Sequence, residues 1–299
     1  MNPYSTKLRS NAAERRGDGG KPIPEDLLLI LRQSSECMGG GCDPQWLKEE
    51  RLPQFAYEEF GDRGPRLLLL HGLLGAASNW DSVIPHLVSF CRPVNLRFPL
   101  IQMHSSEAGV KALAVYTEAF IRTMGEEKVL LCGNSLGGHV ALRLALARPE
   151  LVRAMVLAAS SGLYEHSVEA LPLRPNATFV RTHMAKVFYN QRFVTEDAID
   201  EIAEILRPKG NVLRMIQVAR SAKKDNLQSV LPTVNIPSLL LWGANDNVTT
   251  MEVARLFRDR MPKATLHTVD ECGHAPMMEH PEWFAEQVRQ FLEQQGALG

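Results

Sequence analysis

Ser135 stands in the stretch "LLCGNSLGGHV" (130–140), with glycines at 133, 137 and 138. A serine hydroxyl attacks a carbonyl only if a base takes its proton and its Oγ is held clear of the backbone. Glycines around one serine, between an apolar run and a helical pattern, meet the second condition. G-x-S-x-G is the spacing of a sharp strand-to-helix turn, the nucleophile elbow. The residues two places before and after the serine come so close that a Cβ would clash. The helix that follows aims its first N–H groups and the positive end of its dipole at the same spot. Ser135 is therefore the candidate nucleophile.

Its partners must lie downstream, because in this arrangement the chain order is serine, acid, histidine. The chain has 9 histidines. His139 sits one turn into the elbow helix, His166 and His183 fall among helical patterns, His267 is mid-strand, and His280 precedes Pro281. His274, in "DECGHAPMMEHP", lies in a loop after the last expected strand, where an imidazole can swing over the elbow. It is the candidate base. Asp246, just past the apolar run of "LLLWGANDNV", is the favoured acid; Asp270, close to His274 in sequence, is the competitor. The oxyanion needs two backbone donors. The N–H of Leu136, following the nucleophile, supplies one. The loop "HGLLGAASNW" (71–80) offers Leu73 N–H as the other, with His71 expected to hold that loop. Trp80, Asn134 and Met277 are expected to line the substrate pocket.

The elements that must position these residues follow from hydrophobic spacing. "RLLLLHG" (66–72), "KVLLCGN" (128–134), "VRAMVLAAS" (152–160) and "IPSLLLWGAND" (236–246) are continuous apolar runs, the signature of strands buried on both faces. "QFAYEEFGD" (54–62), "CRPVNLRF" (91–98) and "ATLHTVD" (264–270) are further strands. Helical spacing fills 26–35, 106–125, 135–150, 251–261 and 281–295. Alternating strands and helices predict an α/β fold with a mostly parallel sheet flanked by helices. Between residues 161 and 233 the pattern is helical only. That interval reads as an inserted helical cap on a core of residues 51–160 and 234–299. Residues 1–50 form an N-terminal extension, partly disordered, with one short helix.

"HGLLG", "GNSLGG", "LLLWGANDNV" and "CGHAPMMEHPEWF" together resemble the four landmarks of the α/β-hydrolase superfamily, in the superfamily's order, across about residues 54–295. The resemblance implies an α/β-hydrolase fold with Ser135 as nucleophile, Asp246 as acid, His274 as base, and Leu73 and Leu136 as the oxyanion hole. A serine rather than an aspartate at the elbow sets the chain apart from the haloalkane dehalogenase and epoxide hydrolase branches. "GNSLGG" with Asn134 is similar to the meta-cleavage-product hydrolases, which cut carbon–carbon bonds. The chain departs from them in carrying Ala275 after the histidine, where they have Trp, and Ile202 where they have a substrate-binding Arg.

Bulk properties bound the rest. The chain has 299 residues and a formal net charge of -1. No basic stripe argues for nucleic acid, and no apolar segment is long enough to span a membrane. The polar first 22 residues lack the apolar region of a secretory signal, so the cytoplasm is the expected compartment. Five cysteines suit reduced thiols rather than a disulfide framework. Cys37 and Cys42 are read as loop thiols. No metal-ligand spacing or nucleotide fingerprint is found, so no metal and no cofactor are expected; the partner is a small-molecule substrate. The leading reading is a carboxylic ester hydrolase acting through an acyl-enzyme on a small or medium acyl substrate. A carbon–carbon bond hydrolase of the meta-cleavage-product type and a slow-turnover ligand sensor are the alternatives.

Overall fold

The computed structural model describes residues 15–16, 19–39, 43–74, 77–104, 107–164 and 171–298. Cys42, His166 and most of the N-terminal tail lie outside the described residues. One twisted sheet organises the chain. Its strands are β1 (Arg15–Arg16), β2 (Ala56–Glu59), β3 (Arg66–Leu70), β4 (Arg92–Arg97), β5 (Val129–Asn134), β6 (Val152–Ala158), β7 (Ser238–Gly243) and β8 (Ala264–Val269). They run side by side in the order β1-β2-β4-β3-β5-β6-β7-β8. β1 and β2 pair antiparallel, as do β2 and β4; every other pair is parallel.

The order reverses at β3. The chain passes from β3 to β4 on one side and returns to place β5 on the other. At such a switch point the loops leaving the two central strands diverge and open a crevice at their carboxyl ends. The loop carrying Leu73 leaves β3, and Ser135 leaves β5.

The apolar runs form central strands because both sheet faces are covered. β5 and β7 are buried along their whole length, while the edge strand β8 has no fully buried residue. α1 (Glu25–Cys37), α2 (Gln45–Lys48), α3 (Ile84–Leu87), α4 (Val110–Thr123) and α5 (Leu136–Ala147) precede β6. α4 and α5 bury most of their residues against the sheet. Each fully buried Leu or Phe contributes on the order of 2 kcal/mol to the folded state. α1 joins this body: Leu31 is fully buried, and Arg148 reaches across to Ser34 Oγ at 2.8 Å and to the Ile30 carbonyl at 2.9 Å.

Between β6 and β7 lie α6 (Ala177–Val187), α7 (Glu196–Leu206) and α8 (Lys209–Lys224), with no strand among the described residues. Asn176 caps α6 through Phe179 N–H at 2.8 Å, and Thr195 caps α7 through Ala198 N–H at 3.2 Å. Such caps satisfy orphan donors of the first turn. α9 (Met251–Arg260), α10 (Pro276–Glu279) and α11 (Pro281–Gln294) complete the chain. The short helices α2, α3 and α10 are absent from the sequence reading, because four residues cannot show a helical period.

Candidate active site

Ser135 occupies the turn between β5 and α5 with φ 53° and ψ -115°. A left-handed backbone on a residue with a Cβ costs on the order of 1–3 kcal/mol, and the neighbours must hold it there. Ser135 N–H donates to the Ala158 carbonyl at 3.1 Å, and Ser161 N–H donates to the Ser135 carbonyl at 3.1 Å. The glycines are a steric requirement. A Cβ at Gly133 would lie 2.4 Å from the Gly137 carbonyl, and one at Gly137 would lie 2.0 Å from the Leu70 carbonyl. One at Gly138 would meet Ser160 Oγ at 2.4 Å. β3, β5 and α5 thus touch backbone to backbone beneath Ser135.

His274 Nδ1 lies 2.9 Å from Asp246 Oδ2, and both side chains are buried. Asp246 follows β7 and His274 follows β8, at the same sheet edge as Ser135. Their loops are interlocked. Asn245 N–H donates to the Cys272 carbonyl at 2.9 Å, and Gly243 has room only for hydrogen, since a Cβ would lie 2.1 Å from the Gly273 carbonyl. The carboxylate of Asp246 accepts further bonds from Val248 N–H at 2.7 Å, Thr249 N–H at 3.0 Å and Thr249 Oγ1 at 2.9 Å. Such a set satisfies the buried carboxylate and fixes its direction toward His274. Asn134, the residue before Ser135, donates from Nδ2 to the His274 carbonyl at 3.2 Å and to the Ala158 carbonyl at 3.1 Å. The backbone of the histidine is thereby fastened to the elbow.

The β3 loop comes equally close. A Cβ on Gly72 would lie 3.4 Å from Ser135 Cβ, so Leu73 follows a residue in contact with the serine. Leu136 opens α5, where first-turn N–H groups have no carbonyl one turn back to accept them. Both ring nitrogens of His71 are occupied. Its Nε2 accepts from Phe98 N–H at 3.0 Å, so Nδ1 carries the proton toward the Gly72 carbonyl at 2.8 Å. Burial lowers its pKa to about 4, against the Gly72 bond and helped by Arg97, so it is neutral.

Trp80 and Met277 are fully buried and Asn134 nearly so. Trp80 meets the Phe284 ring edge-on at 6.3 Å, and the Asn134 amide is committed to backbone carbonyls. The described contacts of these two side chains are with the protein itself. Of the other histidines, His267 Nδ1 bonds Gln287 at 2.5 Å, and His280 Nε2 bonds the Glu271 carbonyl at 3.2 Å. His139 Nε2 lies 3.1 Å from Asp225 Oδ2, and Arg143 pairs with the same carboxylate. Burial pushes Asp225 up, but the bonds from His139 and Arg143 and the Arg143 charge outweigh it and hold the pKa at about 2. This cluster ties the end of α8 to the elbow helix. Sequence reasoning missed it and missed Glu279, since both act across a long stretch of chain, and it missed Thr249, whose place three residues after Asp246 carries no distinctive pattern. Cys91 and Cys132 are buried free thiols whose pKa burial raises, to about 12 for Cys91.

Residues 67–287 match the model of the alpha/beta hydrolase family. A 2-hydroxy-6-oxo-6-(2'-aminophenyl)hexa-2,4-dienoic acid hydrolase from Metapseudomonas resinovorans is 30% identical over 254 residues, covering 79% of this chain and 86% of that protein. A pimeloyl-[acyl-carrier protein] methyl ester esterase from Nitrosomonas europaea is 30% identical over 243 residues, covering 74% of this chain and 93% of that one. Among solved structures, an alpha/beta hydrolase enzyme from the sediment metagenome of the Mar Chica lagoon superposes with a TM-score of 0.67 at 33% identity, covering 81% of this chain and 96% of that one.

Proposed function

The chain belongs to the alpha/beta hydrolase family, and from that premise we propose that it is a serine hydrolase of carboxylic esters, with Ser135 as nucleophile, His274 as general base and Asp246 as the orienting acid. What carries this reading is the buried His274–Asp246 pair at 2.9 Å, fastened through Asn134 to the residue that precedes the strained Ser135. With Nδ1 turned to Asp246, Nε2 is the nitrogen left to take the serine proton. Ser135 Oγ attacks the ester carbonyl as its proton passes to His274. The oxyanion is held by the N–H groups of Leu73 and Leu136; losing one such donor typically costs about 3 kcal/mol in the transition state. Collapse of the tetrahedral species returns the proton from His274 to the leaving alcohol and leaves an acyl-Ser135 ester. Water, deprotonated by His274, then releases the acid. Asp246 holds the ring in place and stabilises the imidazolium that forms.

α6, α7 and α8 form the cap, within residues 161–233, over a core of residues 51–160 and 234–299. The substrate is a small or medium acyl ester. The likeness to an acyl-carrier-protein methyl ester esterase supports ester chemistry. The likeness to a dienoic acid hydrolase supports carbon–carbon cleavage by the same residues as the second reading, against which stands Ala275.

Turnover of p-nitrophenyl acetate with fluorophosphonate labelling of the serine tests the proposal. Ser135→Ala should lose labelling and slow turnover on the order of 10⁴-fold or more. Undiminished turnover in that variant overturns it. Labelling without turnover in the unaltered protein favours a ligand sensor, and loss of the yellow absorbance of a ring-fission dienoate favours carbon–carbon cleavage.

A further inference from the structure

Glu279, the last residue of α10, is 6% exposed. Burying a carboxylate is costly unless it is paired or well hydrogen-bonded. Its partners here are neutral. Oε1 accepts from Gly273 N–H at 2.7 Å and lies 3.9 Å from Cys272 Sγ. Oε2 accepts from Asn190 N–H at 2.8 Å. One oxygen thus grips the residue before His274, and the other grips the chain just beyond α6. Two more features join the same segments. His274 N–H donates to the Val187 carbonyl at 2.7 Å. Gly273 is packed so tightly against that stretch that a Cβ would lie 2.3 Å from the Val187 oxygen and 2.8 Å from Tyr189 N.

Resting on the assignment of His274 as base, we propose that Glu279 is a positioning residue: its carboxylate locks the His274 loop to segment 187–190, so that the base is seated only while the inserted helices are seated. His274 has two neighbours of different kinds. Asp246 sets the direction of its ring through Nδ1, while segment 187–190 and Glu279 set the position of its backbone. Displacement of the segment beyond α6 would therefore move the same backbone that carries the base. Two bonds from one carboxylate to two segments do this better than two separate side chains, since neither bond forms well without the other.

The test uses the full chain, with the concentration of competent sites counted by fluorophosphonate titration. Glu279→Gln keeps shape and volume but offers an acceptor to only one of the two N–H groups. It should lower kcat per titrated site for p-nitrophenyl acetate on the order of 10²-fold, the scale of a displacement near 1 Å. KM should stay within about twofold, because substrate contacts are untouched. Asn190→Pro removes the other N–H at a residue whose φ of -86° is near proline's, with Asn190→Ala controlling for the lost side chain. Glu279→Gln combined with Asn190→Pro should be no worse than Glu279→Gln alone, since both cut one link. Unchanged kcat per titrated site in Glu279→Gln overturns the proposal, as do additive effects of the two substitutions. A fall in thermal stability with no change in kcat per site also overturns it, assigning Glu279 to folding alone. Persisting turnover in Ser135→Ala is a separate failure, that of the serine assignment.

Discussion

The two halves of the site are held by different physics. Beneath Ser135 the backbones of β3, β5 and α5 meet so closely that Gly133 and Gly137 admit nothing but hydrogen. The strained turn is kept mainly by exclusion, with two backbone hydrogen bonds to β6 and the segment after it. Around His274 close packing at Gly243 and Gly273 is joined by polar ties from side chains and backbone. Asp246, Asn134, Val187 and Glu279 each hold the histidine or its neighbour at 2.7–3.2 Å, and they come from four different segments. Exclusion is rigid and local. Ties are adjustable and spread along the chain. The turn at Ser135 rests mainly on the first, and the loop of His274 adds the second.

This contrast breaks most sharply at Asp246. Asp246→Asn leaves the volume unchanged but turns an acceptor facing His274 Nδ1 into a donor on one side. The imidazole then takes the wrong tautomer or loses its orientation. We expect kcat to fall on the order of 10⁴-fold, about 5 kcal/mol in the barrier, while the thermal midpoint moves by only a few degrees. Steady-state hydrolysis beside a melting curve checks this. An equal loss of folding would mean that the Asp246 half is held sterically too. The elbow should behave in the opposite way. Gly137→Ala adds one methyl whose nearest neighbour is the Leu70 carbonyl at 2.0 Å, an atom of a central strand that cannot swing aside. The expected cost is about 3 kcal/mol or more in unfolding free energy, read from urea titration, with phosphonate labelling lost in parallel. Near-normal stability in that variant would show that the strand contact yields.

The same difference decides what could be read from the sequence. The elbow is written in consecutive residues, and "GNSLGG" with its flanking strand and helix placed Ser135 directly. The central strands were legible because burial on both faces demands unbroken apolar runs, as in Leu67–Leu70. His274 and Asp246 were legible as types in loops at the right sheet edge, because chemistry limits the choice to few side chains. Their supports were not. Thr249 bonds Asp246 from three residues away, and Glu279 reaches Asn190 across 89 positions. A threonine after an aspartate, or a glutamate before His-Pro, has no distinctive sequence signal. The Asp225 cluster at His139 and Arg143 was hidden for the same reason: its members meet only after α8 has folded onto α5. The surroundings of Trp80 were the hardest to read, since it packs against Phe284, more than two hundred residues downstream.

His71 is where the elbow half uses a polar tie instead of exclusion, and its tie is sensitive to acid. Burial is the main cause of its lowered pKa, about 4 against an ordinary 6.5. The folded imidazole accepts the Phe98 N–H at Nε2, so protonation would put a second donor against that N–H. Between pH 6.5 and 4 the unfolded chain binds a proton at this residue that the folded chain refuses. Unfolding then takes up a proton, and stability falls as pH drops through that window while remaining flat above it. The slope is about 1.4 kcal/mol per pH unit from this one group, so roughly 2 kcal/mol is lost between pH 6.5 and 5. Asp225, held at about 2, adds its own loss only below about 4 and does not overlap. Urea unfolding of the parent protein and of His71→Gln across pH 7.5 to 5 isolates the effect. The variant should start less stable, because Phe98 N–H and the Gly72 carbonyl lose their shared partner, but its stability should decline less steeply with acid. Parallel curves would mean that protonated His71 is tolerated, and that the loop offering Leu73 is held mainly by packing, as the elbow itself is.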